Sequence, residues 1–346
     1  MKIADFEIKE EGKTFIIAEL SANHNGSLKN AKETIKAAKK VGADAIKLQT
    51  YTPDTMTIDC DNKYFQINEG TLWDGKTLYQ LYGEAYTPWE WHEELFELSK
   101  KEGLICFSSP FDKSAVDFLE KFNVPAYKIA SFEIQDIPLI EYTASKGKPM
   151  IISTGIANEE DISLAIEACY KMNNREIILL KCTSSYPAPL ELANLNTIPD
   201  LKKRFNVQVG FSDHTYGSLA PTIAVALGAK VIEKHFILDK SIGGPDADFS
   251  LDVKEFKEMV DKVRDTERLL GTATYEVSEK VKKNRKFARS IFLVSDVKAG
   301  EFVTEKNIRS IRPGYGMHPK FLNSVLGKTF TRDFVEGTPL QDDMIN

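Results

Sequence analysis

Residues 15–50 have the sequence FIIAELSANHNGSLKNAKETIKAAKKVGADAIKLQT, and this stretch decides the fold prediction. It begins with an apolar run, Phe15–Leu20, and ends with a second one, Ala45–Thr50. Between them lies an amphipathic helical pattern, Ser27–Val41, whose first residue can cap a helix start. Gly42 follows at the position where a glycine commonly ends a helix. The stretch therefore predicts a strand, a helix and a second, parallel strand.

The same alternation continues to about residue 270. Eight β-rich runs occur in order: Phe15–Leu20, Ala45–Thr50, Leu104–Ser108, Ala126–Ala130, Pro149–Thr154, Ile177–Thr183, Val207–Phe211 and Lys230–Leu238. The amphipathic helical patterns are Ser27–Val41, Trp89–Glu102, Lys113–Phe122, Asn158–Met172, Ser218–Leu227 and Val253–Leu270. Eight alternations in about 255 residues predict a closed (β/α)₈ or TIM barrel. An open, doubly wound sheet is the alternative, but such a sheet typically has fewer strands.

The length of 346 residues exceeds what one hydrophobic core of about 250–300 residues can organise. After Gly271 the alternation stops, so we predict a barrel domain over 1–271, a charged linker over 272–288 and a small β-rich domain over 289–346. Residues 1–13 predict a hairpin that plugs the bottom of the barrel, at the end opposite the mouth. The long connection over 51–86 follows the C-terminal end of a strand, so we expect it to cover the barrel mouth.

Composition excludes several classes of protein. Hydrophobic residues make up 42% and charged residues 28%, values typical of globular chains, and no apolar run approaches the roughly 20 residues of a membrane span. A net charge of −6 argues against a nucleic-acid partner but leaves room for a small anion in a locally basic cleft. The four cysteines form no close pair and no secretion signal is visible, which predicts a cytoplasmic protein with reduced thiols.

Polar residues collect at the C-terminal ends of the predicted strands, which is the face where such barrels carry their chemistry. Core packing favours Val, Ile and Leu there, and burying charge without partners is costly, so these residues predict a ligand-binding cavity. They are Glu19, Lys47, Gln49, Ser108, Ser109, Lys128, Ser131, Glu133, Ser153, residues 181–186, Ser212, His214, Glu233 and His235.

Lys47 and Lys128 are the natural anion-binding groups of this set. A single lysine at a strand end is more often a salt-bridge partner. Two lysines converging with the hydroxyls of Ser131, Ser153 and Ser212 instead favour a phosphate or carboxylate site. A Schiff-base role for one lysine remains an open alternative.

His214 and His235 end successive predicted strands, so their imidazoles can meet at one edge of the mouth. Each alone is more often a hydrogen-bonded structural residue, but together they favour a metal site. Two imidazoles cannot complete a structural zinc site, so we expect a divalent ion, Mn²⁺ or Mg²⁺, that keeps several waters. Asp246, in an acidic glycine-rich segment after the eighth strand, is either part of a solvated turn or a ligand for sugar hydroxyls.

Several motifs carry a family resemblance. They are Ile17-Ala18-Glu19-Leu20-Ser21-Ala22-Asn23-His24-Asn25-Gly26, Lys47-Leu48-Gln49-Thr50, residues 127–133, Ser153-Thr154-Gly155, Gly210-Phe211-Ser212-Asp213-His214 and residues 231–236. The set resembles the bacterial sialic acid synthase family, the phosphoenolpyruvate-dependent nonulosonic acid synthases. The likeness covers the whole chain, including a C-terminal antifreeze-like (SAF, β-clip) domain. Within the family, Leu72-Trp73-Asp74 and residues 84–92 and 107–111 are most similar to the pseudaminic acid synthases.

The resemblance implies a reaction. Phosphoenolpyruvate would condense with an open-chain amino-sugar aldehyde to give a nine-carbon 2-keto acid and phosphate, with cleavage of the C–O bond. The narrower resemblance implies 2,4-diacetamido-2,4,6-trideoxy-altrose as the sugar. An N-acetylneuraminate or legionaminic acid synthase, which uses a manno-configured sugar, is the alternative.

The resemblance also implies residue roles. The phosphoenolpyruvate ligands would be Lys47, Lys128, Ser131, Ser153, Ser184 and Ser212; the sugar ligands Glu19, Gln49, Tyr186, Asp246 and Arg312; the metal ligands His214 and His235; and the catalytic set Glu19, Lys47, Lys128 and Glu133. The metal would be Mn²⁺ or Mg²⁺, with Co²⁺ also possible. Ser184 stands where family members carry Asn. Arg312 matches an arginine that reaches the partner's substrate, which implies a domain-swapped homodimer.

Two other classes of function compete with this synthase. One is a lysine Schiff-base aldolase on the same barrel. The other is a non-catalytic carbohydrate-binding or ice-binding protein, which the complete set of lysine, serine, histidine and glutamate positions disfavours.

Overall fold

The computed structural model describes residues 1–68, 70 and 72–346, which divide into two compact units, Met1–Gly271 and Thr272–Asn346. In the first unit eight parallel strands form a closed barrel in which each strand pairs with the next and the last pairs with the first. The predicted TIM barrel is therefore confirmed. Its strands are β3 (Phe15–Glu19), β4 (Ala45–Thr50), β5 (Ile105–Pro110), β6 (Tyr127–Ile129), β7 (Met150–Ser153), β8 (Ile177–Cys182), β9 (Gln208–Asp213) and β10 (Val231–His235).

Helices follow the strands around the barrel. They are α1 (Leu28–Val41), α4 (His92–Lys101), α5 (Lys113–Glu120), α6 (Ile137–Ala144), α7 (Glu159–Lys171), α8 (Thr197–Phe205), α9 (Leu219–Ala226) and α10 (Val253–Leu270). The ends of α1 lie where predicted, because Ser27 Oγ accepts a hydrogen bond from Asn30 N and Gly42 adopts a left-handed φ of 93°. Helices α6 and α8 are short and were not identified from the sequence.

The predicted N-terminal hairpin is present as two antiparallel strands, β1 (Lys2–Ile3) and β2 (Phe6–Glu7). Ile3 and Ile8 are buried in the barrel unit's hydrophobic core. The Phe6 ring lies 4.8 Å from the ring of Phe15, which begins β3. The hairpin therefore packs at the N-terminal end of the barrel, opposite the mouth.

The long connection over 51–86 contains two short helices, α2 (Pro53–Met56) and α3 (Leu78–Ala85). Trp73 Nε1 donates a hydrogen bond to Pro245 O at 3.1 Å, and the Trp73 ring lies 5.7 Å from that of Tyr186. Both partners belong to loops after barrel strands. The connection therefore reaches the mouth, as its length and position predicted.

The second unit has a core of its own, formed by Ile291, Leu293, Val297, Val303, Ile308, Val325, Phe330, Leu340, Met344 and Ile345. Two antiparallel strands, β11 (Ser290–Leu293) and β12 (Ile308–Ile311), contribute to it, and α12 spans Leu322–Val325. The segment predicted as a linker contains α11 (Glu279–Lys282) and a 3₁₀ helix, Lys283–Phe287. No helix within the described ranges is long and apolar enough to span a membrane.

Candidate active site

Four charged side chains, Glu19, Lys47, Lys128 and Glu233, form what we call the charged floor of the barrel mouth. Lys47 pairs with Glu19, and its Nζ lies 3.1 Å from Glu233 Oε1. Lys128 Nζ lies 3.7 Å from the same oxygen. Strands β6 and β10 are on opposite sides of the eight-strand order, so the Lys128–Glu233 contact crosses the barrel interior. All four residues are at most 5% exposed.

The floor sets two lysines against two glutamates, and the pKa values of Lys47 and Glu233 are shifted there. Desolvation lowers the pKa of Lys47 to about 8, although Glu233 raises it. Burial alone would raise the pKa of Glu233, but Lys128 and Lys47 outweigh it and hold that pKa below its ordinary value. Glu233 is therefore a carboxylate held between two lysines. A polyanionic ligand would have to compete with it for their ammonium groups.

Serine hydroxyls converge beside this floor, around the backbone of Gly155. A Cβ placed on Gly155 would clash with both Ser131 Oγ and Ser184 Oγ. The hydroxyls of Ser131 and Ser153 are buried and have no hydrogen-bond partner within the described part of the chain. Leaving buried polar groups unpaired is costly, so these hydroxyls are arranged to receive a ligand's acceptor atoms. Ser212 Oγ is already engaged, because it donates to Glu233 Oε1 at 3.1 Å.

Glu133 lies in the 3₁₀ helix Ser131–Glu133, directly after β6. Its Oε2 is buried and has no hydrogen-bond partner among the residues that the structure describes. Burial raises the pKa of Glu133 to about 7, although Lys128 lowers it. A carboxyl group with this pKa can accept or release a proton near neutral pH.

The two predicted metal ligands lie side by side. The ring centroids of His214 and His235 are 5.4 Å apart. His214 Nδ1 lies 3.0 Å from the carbonyl oxygen of Thr183, which can only accept, so a proton is assigned to Nδ1 and Nε2 is the nitrogen left to bind a metal. His235 Nδ1 is buried without a hydrogen-bond partner in the described ranges and lies 3.6 Å from Asp246 Oδ2. Desolvation holds the pKa of His235 well below its ordinary value, so its ring is neutral.

The predicted sugar ligands of the barrel unit lie beside this pair and the floor. Gln49 Nε2 donates to Glu19 Oε1 at 3.4 Å, and Asp246 Oδ2 accepts from Ala22 N at 3.4 Å. The Tyr186 ring lies 4.3 Å from that of His214. Arg312 belongs to the second unit and is exposed there.

Glu233 and Ser109 are strand-end residues to which the sequence analysis assigns no individual role. Glu233 proves to be the acceptor shared by both lysines and Ser212. Ser109 is adjacent in register to Gln49, and its buried hydroxyl has no hydrogen-bond partner within the described residues. The i, i+2 spacing of Glu233 and His235 was the available signal, because alternate strand residues face the same side. Lys181 instead donates to Cys182 O at 2.5 Å and takes no part in the charged floor.

The fold and these side chains define a TIM-barrel enzyme whose mouth is built to bind an anionic substrate. The chain belongs to the NeuB family, whose model matches residues 34–275. The SAF domain model matches residues 288–346.

Curated relatives are similar along nearly the whole chain. A pseudaminic acid synthase from Campylobacter jejuni is 52% identical over 99% of this chain and 98% of its own length. A pseudaminic acid synthase from Helicobacter pylori is 49% identical over 95% of this chain and 97% of its own. Among solved structures, the spore coat polysaccharide biosynthesis protein SpsE from Bacillus subtilis is 35% identical, with a TM-score of 0.68 over 100% of this chain and 99% of that one.

Proposed function

We propose that this chain condenses phosphoenolpyruvate with 2,4-diacetamido-2,4,6-trideoxy-altrose to give pseudaminic acid and phosphate. The observation that carries this proposal is the pair of buried lysines beside unpartnered serine hydroxyls, an arrangement suited to a ligand with both a phosphate and a carboxylate. The choice of sugar is supported by the two relatives at 52% and 49% identity, which are pseudaminic acid synthases.

Phosphoenolpyruvate would occupy the space above the charged floor. Its ligands in the proposal are Lys47, Lys128, Ser131, Ser153, Ser184 and Ser212. Each lysine would exchange a contact with Glu233 for a phosphate or carboxylate oxygen of the substrate. Ser131 and Ser153 would gain their first hydrogen-bond partners, so substrate binding would remove a cost that the ligand-free site carries.

His214 and His235 would hold a divalent ion, Mn²⁺ or Mg²⁺, with Co²⁺ as a further option. Nε2 of His214 and Nδ1 of His235, which has no hydrogen-bond partner among the described residues, fit this role. Within the described ranges no three His, Cys, Asp or Glu side chains form a metal-binding group, so waters and a substrate oxygen would complete the coordination. When bound, the ion supplies Lewis acidity toward the sugar's aldehyde oxygen.

The proposed reaction forms a bond between C3 of phosphoenolpyruvate and C1 of the open-chain sugar. Glu19, Gln49, Tyr186 and Asp246 would bind the sugar so that its C1 faces that carbon. C2 then becomes cationic, and the buried carboxylates of Glu133 and Glu19 would stabilise this charge. Water adds to C2 and its proton passes to Glu133, whose pKa of about 7 suits the transfer. The bond from C2 to the phosphate oxygen then breaks, the C2 hydroxyl gives its proton to the departing phosphate, and the keto group remains. The proton held by Glu133 passes to the sugar's former aldehyde oxygen, which becomes a hydroxyl group.

Arg312 would complete the site from a second copy of the chain, in a domain-swapped homodimer located in the cytoplasm. The exposure of Arg312 and the separate core of its unit support this arrangement. Mixing two inactive variants, Lys128→Met and Arg312→Ala, should restore about a quarter of wild-type activity, since half of the exchanged dimers are mixed and each has one intact site. If each site used its own chain's arginine, the mixture would stay inactive.

A phosphate-release assay tests the proposed reaction. The sugars to compare are 2,4-diacetamido-2,4,6-trideoxy-altrose, 2,4-diacetamido-2,4,6-trideoxy-mannose and N-acetylmannosamine, each with and without added Mn²⁺. We expect release with the altrose substrate and a strong dependence on the metal. Activity only with a manno-configured sugar would reassign the chain to neuraminate or legionaminate synthesis.

One observation favours the Schiff-base aldolase alternative, because the lowered pKa of Lys47, about 8, makes its amine more nucleophilic. Its contacts with Glu19 and Glu233 oppose this role by holding the amine as an ammonium. Borohydride reduction in the presence of pyruvate separates the two mechanisms. The synthase proposal predicts an unmodified chain mass, and a reduced adduct on Lys47 would contradict it.

A further inference from the structure

Lys234 and Asp213 form a fully buried ion pair that the proposed reaction does not use. Lys234 Nζ lies 2.6 Å from Asp213 Oδ2, and both side chains are 0% exposed. Their neighbours Glu233 and Ser212 contact each other inside the barrel, and strand side chains alternate between faces, so the pair lies on the outer face. A buried pair of this kind is weak evidence for stability as such, because desolvation offsets its attraction.

The pair is part of a closed network around His214. Lys234 Nζ also donates to the carbonyl oxygen of Thr215. Asp213 Oδ1 accepts from Thr215 N at 2.8 Å. The residues immediately before and after His214 are therefore both held by one ammonium group. That ammonium belongs to the residue immediately before His235.

Backbone pairing joins β9 to β10 as far as Asp213 and Lys234, but it does not include His214. The β9–β10 ladder ends at the Asp213–Lys234 pair, and His235 pairs instead with Glu19 of β3. His214 is tied on its other side, where its carbonyl accepts from Ala188 N at 2.9 Å and its ring contacts Thr183 O. Beyond the end of the ladder, this side-chain network links the His214 segment to β10.

We infer that Lys234 and Asp213 are positioning residues that set the spacing of His214 and His235 for a divalent ion. The inference rests on the proposed function only in taking these two histidines as the metal ligands. The Lys234 side chain of β10 holds the residues on either side of His214, and so positions the His214 imidazole relative to that of His235. Groups that orient metal ligands in this way typically contribute about 10–100-fold to metal affinity.

The test separates positioning from stability with two variants of the full-length chain. Lys234→Met removes the clamp and leaves the Asp213 carboxylate buried without its partner. The double variant Lys234→Met, Asp213→Leu also removes the clamp, but it fills the site with apolar groups, which commonly restores stability. Arg264→Met is the control, because Arg264 pairs with Asp44 at 2.9 Å beside the N-terminal ends of the strands, far from the mouth.

Binding of MnCl₂ alone, followed by electron paramagnetic resonance of the free ion, is the readout, with the thermal unfolding midpoint measured alongside. We expect the Mn²⁺ affinity to fall by about 10–100-fold in both Lys234 variants. The double variant should show this loss even when its unfolding midpoint equals that of the wild type. Arg264→Met should lower the unfolding midpoint and leave the Mn²⁺ affinity unchanged. If both the Mn²⁺ affinity and the unfolding midpoint recover in the double variant, the pair is purely structural. That result would overturn this inference and leave the proposed function standing. A wild-type chain that binds no Mn²⁺ would overturn the metal centre itself.

Discussion

Glu233→Gln is the perturbation that probes the charged floor most sharply. Glu233 Oε1 lies 3.1 Å from Lys47 Nζ and 3.7 Å from Lys128 Nζ. At an effective dielectric constant of about 20 these attractions amount to about 5 and about 4.5 kcal/mol. Desolvation offsets much of this, and removing one partner of a buried pair typically costs about 3–5 kcal/mol. Glutamine keeps the shape of the side chain and a hydrogen-bond acceptor for Ser212. Any loss of stability therefore reports the effect of the negative charge alone.

The assay is thermal unfolding with and without saturating phosphoenolpyruvate. A cost of this size lowers the unfolding midpoint by roughly 5–15 °C in a domain of this length. Phosphoenolpyruvate supplies the anionic oxygens that the lysines have lost, so its binding should raise the midpoint more in the variant than in the wild type.

Glu120→Gln is the matched control for this experiment. Glu120 also pairs with a lysine, Lys148, at 2.7 Å, but both side chains are partly exposed, so the change should cost about 0–1 kcal/mol. It should leave the effect of phosphoenolpyruvate unaltered. A Glu233→Gln variant as stable as this control, with a ligand effect equal to that of the wild type, would refute the reasoning about the floor.

Three further predictions concern single residues. The folded-state pKa of Glu133, about 7, lies above its ordinary value of 4.5, so the wild type should lose stability relative to Glu133→Gln as the pH rises between these values. Thermal unfolding of both proteins from pH 4 to 8 checks this prediction. A stability difference that stays constant with pH would contradict it. His235→Ala should abolish both turnover and Mn²⁺ binding while phosphoenolpyruvate still binds by calorimetry, and retained metal-dependent turnover would exclude His235 as a ligand. Gly155→Ala should weaken phosphoenolpyruvate binding at least about tenfold, because the new methyl group clashes with Ser131 Oγ and Ser184 Oγ. Gly83→Ala, where a Cβ meets only Pro53 at 3.9 Å, should bind like the wild type.

The sequence was sufficient to predict the barrel, because each strand is a short apolar run and most helices carry a recognisable periodicity or cap. Helix α6 was missed because Ile137-Pro138-Leu139-Ile140 has no polar face, although the Asp136 cap and the proline in the first turn are signals of a helix start. The segment predicted as a linker is rich in charged residues, and charge alone does not distinguish a short exposed helix from an extended linker.

The site was predictable as a set of strand-end residues but not as a network. That Lys128 and Glu233 meet across the barrel depends on closure and register, which no local pattern encodes. The clamp of Lys234 on both neighbours of His214 likewise depends on where the β9–β10 ladder ends. Such contacts follow from the fold as a whole, so they became visible only in three dimensions.

One measurement tests the proposed reaction most directly. The chain is incubated with 2,4-diacetamido-2,4,6-trideoxy-altrose, Mn²⁺ and phosphoenolpyruvate. The phosphoenolpyruvate carries ¹⁸O in the oxygen that bridges carbon and phosphorus, and the masses of both products are measured by mass spectrometry. The account predicts unlabelled pseudaminic acid together with phosphate that carries the label, because the C–O bond breaks and the keto oxygen comes from water. Label retained in the keto acid, or no nine-carbon product from this sugar, would contradict it.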